Sequence, residues 1–135
     1  MHVARSVPLN TLTGFAAVAL GGACGACARY GVYLLFQGAA GRFPFGTLLA
    51  NLSGAFLAGV LVTLMQAKGA DNTAGYLLLV TGFLGGFTTL SAFSVDTLKL
   101  LQAGATVPAA MNVLVTIIGA LLAVSFGAWV ARLAL

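Results

Sequence analysis

Residues 82–96 read GFLGGFTTLSAFSVD, and they interrupt an otherwise apolar segment. Gly85, Gly86, Thr88, Thr89 and Ser91 crowd into the middle of it, a poor composition for a regular helix. The surrounding residues 72–95 carry no charged side chain. At 1.5 Å of rise per residue, a helix of that length crosses a hydrocarbon core of about 30 Å. Irregular backbone at membrane depth is tolerated only inside protein or beside a cavity. The stretch therefore predicts a membrane helix broken around Gly85–Leu90. Such breaks expose carbonyls that bind cations and N–H groups that bind anions.

Three further stretches lack charge: 6–28, 43–67 and 100–131. Each is long enough to span once, and none is long enough to span twice. Only 6% of the 135 residues are charged, against about 25% in a typical soluble domain. Hydrophobic residues make up 61%, and the mean hydropathy is +1.09. Eight charged side chains are too few to cover a water-soluble surface of this size, so lipid is the solvent. No period-two alternation runs through the apolar stretches, which argues against a barrel. The expected class is an all-α membrane protein. It forms one domain over residues 1–135, with spans near 10–37, 43–67, 74–102 and 106–132. The turns fall at Gly38–Arg42, Lys68–Asn72 and Ala103–Thr106. Arg5 ahead of an apolar run has the outline of a signal peptide, but three more spans follow it. Cys24 and Cys27 form C-x-x-C inside a Gly/Ala-rich helix, where thiols serve as small packing residues rather than redox or metal groups.

An even number of spans places both termini on one side. That side, with the second loop, holds Arg5, Lys68 and Arg132, while the other holds Arg29, Arg42 and Lys99. Lys/Arg bias normally sets orientation. Three against three gives none, so copies are expected to insert both ways up and pair antiparallel. Small residues recur four apart at Gly21 and Gly25, at Gly82 and Gly86, and at Gly119, Ala123 and Gly127, the spacing of close helix packing.

Polar groups within the spans carry the chemistry, because burying one unpaired costs several kcal/mol. Arg29, two-thirds along the first span, is either a snorkelling residue or a positive charge at the mouth of an anion path. Thr47, Asn51 and Gly54 recur at i, i+4 and i+7 and share one face. Asn51 lies near mid-membrane and offers two N–H donors without a charge, to a neighbouring helix or to a permeating anion. Phe93 follows Leu90 by three residues, so the two are expected to face the same way. A ring edge is electropositive and contacts an anion without trapping it, although by composition Phe93 reads as a packing residue. Asn112, Thr116 and Gly119 form a second polar stripe on the fourth span, expected to line the same path.

GTLLANLSG (46–54) together with GFLGGFTTLSAFS (82–94) resembles the small fluoride channels of the Fluc or CrcB family, and the likeness runs from Gly21 into the fourth span. The resemblance implies an antiparallel, dual-topology homodimer in the bacterial plasma (inner) membrane. It also implies two pores per dimer and passive, selective export of fluoride from the cytoplasm. The partners implied are the fluoride ion, a second copy and membrane lipid, with no nucleic acid, and no catalytic residues. By the resemblance, Asn51 stands at the pore asparagine and Thr47 at the threonine one turn before it. Phe93 stands at the second pore phenylalanine, and Arg29 at the arginine of the first helix. Ser91 begins the polar stretch between the two phenylalanine positions, and Thr116 is a hydroxyl on the fourth-helix track. The carbonyls of Gly85 and Thr88, from both subunits, stand where a structural sodium ion is held at the dimer interface. Two positions depart from the pattern: Leu90 occupies the first pore phenylalanine position, and Ala92 replaces the threonine after Ser91.

The rival from another class is a small dual-topology multidrug or cation antiporter. Proton-coupled export of that kind needs a carboxylate in the membrane. The acids here are Asp71, in a loop, and Asp96, late in the third segment; the first span has none.

Overall fold

The computed structural model describes residues 10–38 and 43–135. Arg5, Arg42 and most of the first connection lie outside the described residues.

Four helical spans, Thr11–Leu35, Phe45–Ala67, Ala74–Gln102 and Thr106–Leu133, are long and apolar enough to cross a membrane. No strand occurs among the described residues. The second and third spans end in the same way. Gly69 and Gly104 take positive φ (63° and 73°), the region that only glycine enters without penalty. The next amide then reaches back to the carbonyl five residues earlier, Ala70 to Met65 at 2.8 Å and Ala105 to Leu100 at 2.9 Å. This Schellman geometry satisfies carbonyls the helix would otherwise leave bare, and it turns the chain tightly into the following span.

The third span is divided. After one helical turn capped by Thr73, residues Leu77–Leu84 wind as a π-helix, and Gly85–Phe87 add a last turn. Thr88 and Thr89 are extended, and the helix resumes over Leu90–Gln102. The expected interruption is thus two residues long. The π winding ahead of it was not legible in the glycine pattern.

Two helix pairs hold the bundle: the first span against the N-terminal half of the third, and the second span against the fourth. In each pair the backbones touch. A Cβ on Gly25 would overlap the Phe83 carbonyl, and one on Gly59 would overlap that of Val124. Lipid gives no hydrophobic reason for helices to associate, so such close approach, with its many dispersion contacts, carries the packing. Polar groups share the interior with apolar ones such as Leu84, Phe87 and Leu100, while large apolar side chains cover the outside. Thr47, Asn51, Asn112 and Thr116 are buried, whereas Phe15, Leu20, Leu121, Leu122 and Trp129 face outward. Cys24 and Cys27 also face outward, so they do not pack within the protomer.

Candidate functional site

Side chains from two other spans hold the break open. Asn51 meets it with both ends of its amide: Nδ2 donates to the Thr89 carbonyl at 3.0 Å, and Oδ1 accepts from the Thr89 N–H at 2.7 Å. This reciprocal pair substitutes for bonds that Thr89 gives up by leaving the helix. Arg29 Nε donates to the Gly86 carbonyl at 3.0 Å. Gly54, on the same face as Asn51, lacks a side chain where the Thr88 methyl group and the Phe87 ring pack. The face shared by Thr47, Asn51 and Gly54 therefore exists and is directed at the third span. Of the two N–H donors expected of Asn51, one is committed to Thr89 and one remains.

The break also releases carbonyls. In a continuous helix, the amides of Thr89 and Ala92 would serve the carbonyls of Gly85 and Thr88. Here the Thr89 N–H goes to Asn51, and the Ala92 N–H goes to Thr89 Oγ1 at 3.1 Å. Gly85 is exposed, and no neighbour lies within 4 Å of the place its Cβ would occupy. Among the described residues there is no cluster of three His, Cys, Asp or Glu. A cation at this point would depend on carbonyl oxygens, the donor type that suits a hard ion such as sodium. Two freed carbonyls, one on exposed Gly85 and one on half-buried Thr88, fit that requirement. On the other side of the break, Thr89 caps the helix Leu90–Gln102, whose N-terminal amides form its positive end.

The candidate residues fall into two groups. Asn51, Thr88, Leu90, Phe93 and Thr116 border a central cleft of about 640 Å³. Arg29, Thr47, Ser91, Asp96 and Lys99 border a second, basic cavity of about 420 Å³. Thr89 borders both. Ser91 Oγ lies 3.1 Å from Thr89 Oγ1, on the basic side. Leu90 and Phe93 both line the central cleft, as their spacing predicts, but Phe93 is buried whereas Leu90 is 76% exposed. Three residues advance a helix by less than a full turn and leave side chains roughly 60° apart. That is enough to leave one covered within the cleft and the other at its open side.

The second polar stripe is also divided. Thr116 reaches the cleft, and its buried Oγ1 has no hydrogen-bond partner among the described residues. Asn112 is 1% exposed and donates to Thr97 Oγ1 at 2.9 Å, which in turn donates to the Phe93 carbonyl at 2.8 Å. Asn112 therefore fastens the fourth span to the third instead of lining the cleft. Gly119 accommodates the Leu52 side chain.

The sequence reading missed what Asp96 does. Thr47 Oγ1 donates to Asp96 Oδ2 at 2.6 Å, a charge-assisted bond between residues 49 positions apart. The available signal was that an acid within a span requires a partner.

Fold and site together define a class: small integral membrane proteins of four helical spans, the third broken where side chains from the first and second clasp it beside a mostly apolar cleft with a few polar groups. Within that class, the chain belongs to the CrcB family, described as CrcB-like protein, Camphor Resistance (CrcB), which it matches over residues 16–128. It is 44% identical over 118 residues to the fluoride-specific ion channel FluC of Paracoccus denitrificans, an alignment covering 87% of this chain and 94% of that one. To FluC of Legionella pneumophila (strain Paris) it is 40% identical over 119 residues, covering 87% and 89%. To FluC of Methylococcus capsulatus it is 45% identical over 117 residues; the match takes in 86% of this chain and about half (51%) of that longer relative.

Proposed function

We propose that this protein is a passive fluoride channel of the bacterial inner membrane that works as an antiparallel homodimer with two pores. The observation that carries the proposal is the clasped break. An uncharged amide at Asn51, the amide end of the helix Leu90–Gln102 and the Phe93 ring all meet at one cleft among the four spans. Fluoride is small and strongly hydrated, so a path for it must supply hydrogen-bond donors, yet a fixed positive charge at its centre would trap it. Neutral N–H and O–H groups, helix-end amides and a ring edge meet both demands. Asn51 contributes its uncommitted N–H, and Thr116 contributes a buried hydroxyl left open to a ligand, a water or a second copy. Leu90 keeps the cleft narrow and dry. Arg29, Thr47 and Ser91 attract and guide the ion in the basic cavity.

Export follows from acid trapping. Neutral hydrogen fluoride crosses the bilayer, dissociates in the more alkaline cytoplasm and strands fluoride there. The negative membrane potential then drives the anion out through an open channel. The two-way-up assembly draws support from the balanced Lys/Arg count and from a cleft that lies open on one side. In such a dimer, Gly85 and Thr88 carbonyls from both copies would hold a sodium ion, whose charge neutralises four converging oxygens. The antiporter alternative gains nothing from the site, because Asp71 is exposed in a loop and Asp96 is already engaged by Thr47.

Purified protein in liposomes loaded with fluoride should release it when the membrane is made permeable to a counter-ion, and liposomes loaded with chloride should not. Equal release of both anions, or of neither, would overturn the proposal.

A further inference from the structure

The Thr47–Asp96 bond occupies a position that the conduction path must explain. Thr47 and Asp96 border the basic cavity, and they also border a third cavity of about 480 Å³ ringed by Phe36, Phe43 and Phe45. The pair therefore stands between the two spaces. A carboxylate is an unexpected wall for an anion route, since it repels the ion at short range through a medium less polar than water. It also behaves chemically as a tethered anion, because it accepts from the very hydroxyl that a passing fluoride would use.

Resting on the fluoride-channel reading, we propose that Asp96 is a tethered plug: it holds the Thr47 hydroxyl, separates the aromatic cavity from the basic one, and must be displaced for the anion to pass. Fluoride and carboxylate then compete for one donor. The displaced carboxylate has cationic partners within the same cavity, Arg29 and Lys99. Lys99 follows Asp96 by three residues on one helix, the spacing of side chains that meet. The plug therefore moves between two favourable arrangements and is never left as an unpaired charge at the membrane boundary. Asp96 acts on the ion through Thr47 and through its own charge, so it serves as a gate and not as a binding site.

The test compares fluoride efflux from liposomes, across a range of internal fluoride, for wild type, Asp96→Asn and Asp96→Glu at equal protein density. Asparagine keeps the shape and an acceptor for Thr47 but removes the charge; glutamate keeps the charge and changes the shape. A plug predicts that Asp96→Asn lowers the half-saturating fluoride concentration by at least about five-fold, the factor for removing the repulsion between two unit charges about 4 Å apart even at the dielectric of water. It also predicts that Asp96→Glu keeps the wild-type value. A purely structural role predicts the reverse order, with glutamate the more disruptive. Wild-type values for Asp96→Asn, or an equal shift in both variants, would overturn the plug while leaving the channel in place. A wild type that carries no fluoride would instead overturn the channel reading on which the plug rests.

Discussion

The two halves of the third span are held by different physics. Residues 74–87 lie against the first span through backbone contact, with glycines on both sides and no side-chain hydrogen bond between them until Arg29 reaches Gly86. The helix Leu90–Gln102 is held by side chains: Asn51 at its cap, Thr47 on Asp96 and Asn112 on Thr97. The first half is rigid because close-packed backbones have no alternative arrangement. The second half is positioned by polar bonds from side chains of the second and fourth spans. The candidate residues Leu90, Ser91 and Phe93 lie on the second half, and Arg29 and Asn51 clasp the junction from other spans.

That contrast is open to test. The largest effect is expected at Gly25. A leucine there would drive into the Phe83 carbonyl and the Phe87 amide, and backbone, unlike a side chain, cannot rotate away. Overpacking that side chains can absorb costs about 1–3 kcal/mol. Gly25→Leu should exceed that range and give no folded protein by size-exclusion chromatography in detergent. A well-behaved Gly25→Leu protein would mean that the first half is not backbone-packed.

Asn51→Asp comes next. A carboxylate in that place accepts from the Thr89 N–H but loses the donor to its carbonyl and repels an incoming anion. Fluoride flux should fall by about a hundred-fold or more, the scale of two to three kcal/mol for such a loss, while the assembled protein remains. Near-normal flux would remove Asn51 from the path and leave it a structural clasp.

At the cleft, Phe93→Ile should reduce flux by about ten-fold, the factor that matches the loss of one aromatic contact. Leu90→Phe, which adds a ring edge at an exposed position, should raise it a few-fold. Both are read as efflux at equal protein density. The opposite pattern would make Leu90 a residue suited to this protein's own pore and would remove the ring-edge account.

The smallest effect on transport is expected at Asn112, which serves the second half only as a fastener. Asn112→Ala leaves Thr97 without its donor and should cost about 1–3 kcal/mol of stability. This would appear as a lower melting temperature with flux per folded protein unchanged. A flux loss equal to that of Asn51→Asp would place the fourth-span stripe on the path after all.

Local information was enough for part of this. Charge-free runs give the number and length of the spans, because a bilayer requires about 20 apolar residues wherever they occur. Gly85, Gly86, Thr88 and Thr89 located the break to within a few residues, since composition alone disfavours helix there. The i, i+4, i+7 spacing of Thr47, Asn51 and Gly54 placed them on one face, because helix geometry fixes the angle between residues of the same helix. Tertiary structure decided what that face meets. Asn51 on Thr89, Thr47 on Asp96 and Asn112 on Thr97 each join residues on different helices, and the rotation of one helix against another is set by packing over its whole length. For the same reason Thr116 and Asn112, and Ser91 and Asn51, each close in pattern, came to border different surroundings, whereas Leu90 and Phe93 share one cleft and differ in exposure. A sequence states which groups a helix carries; only the assembled bundle determines which hydrogen bonds close and which donors remain for an ion.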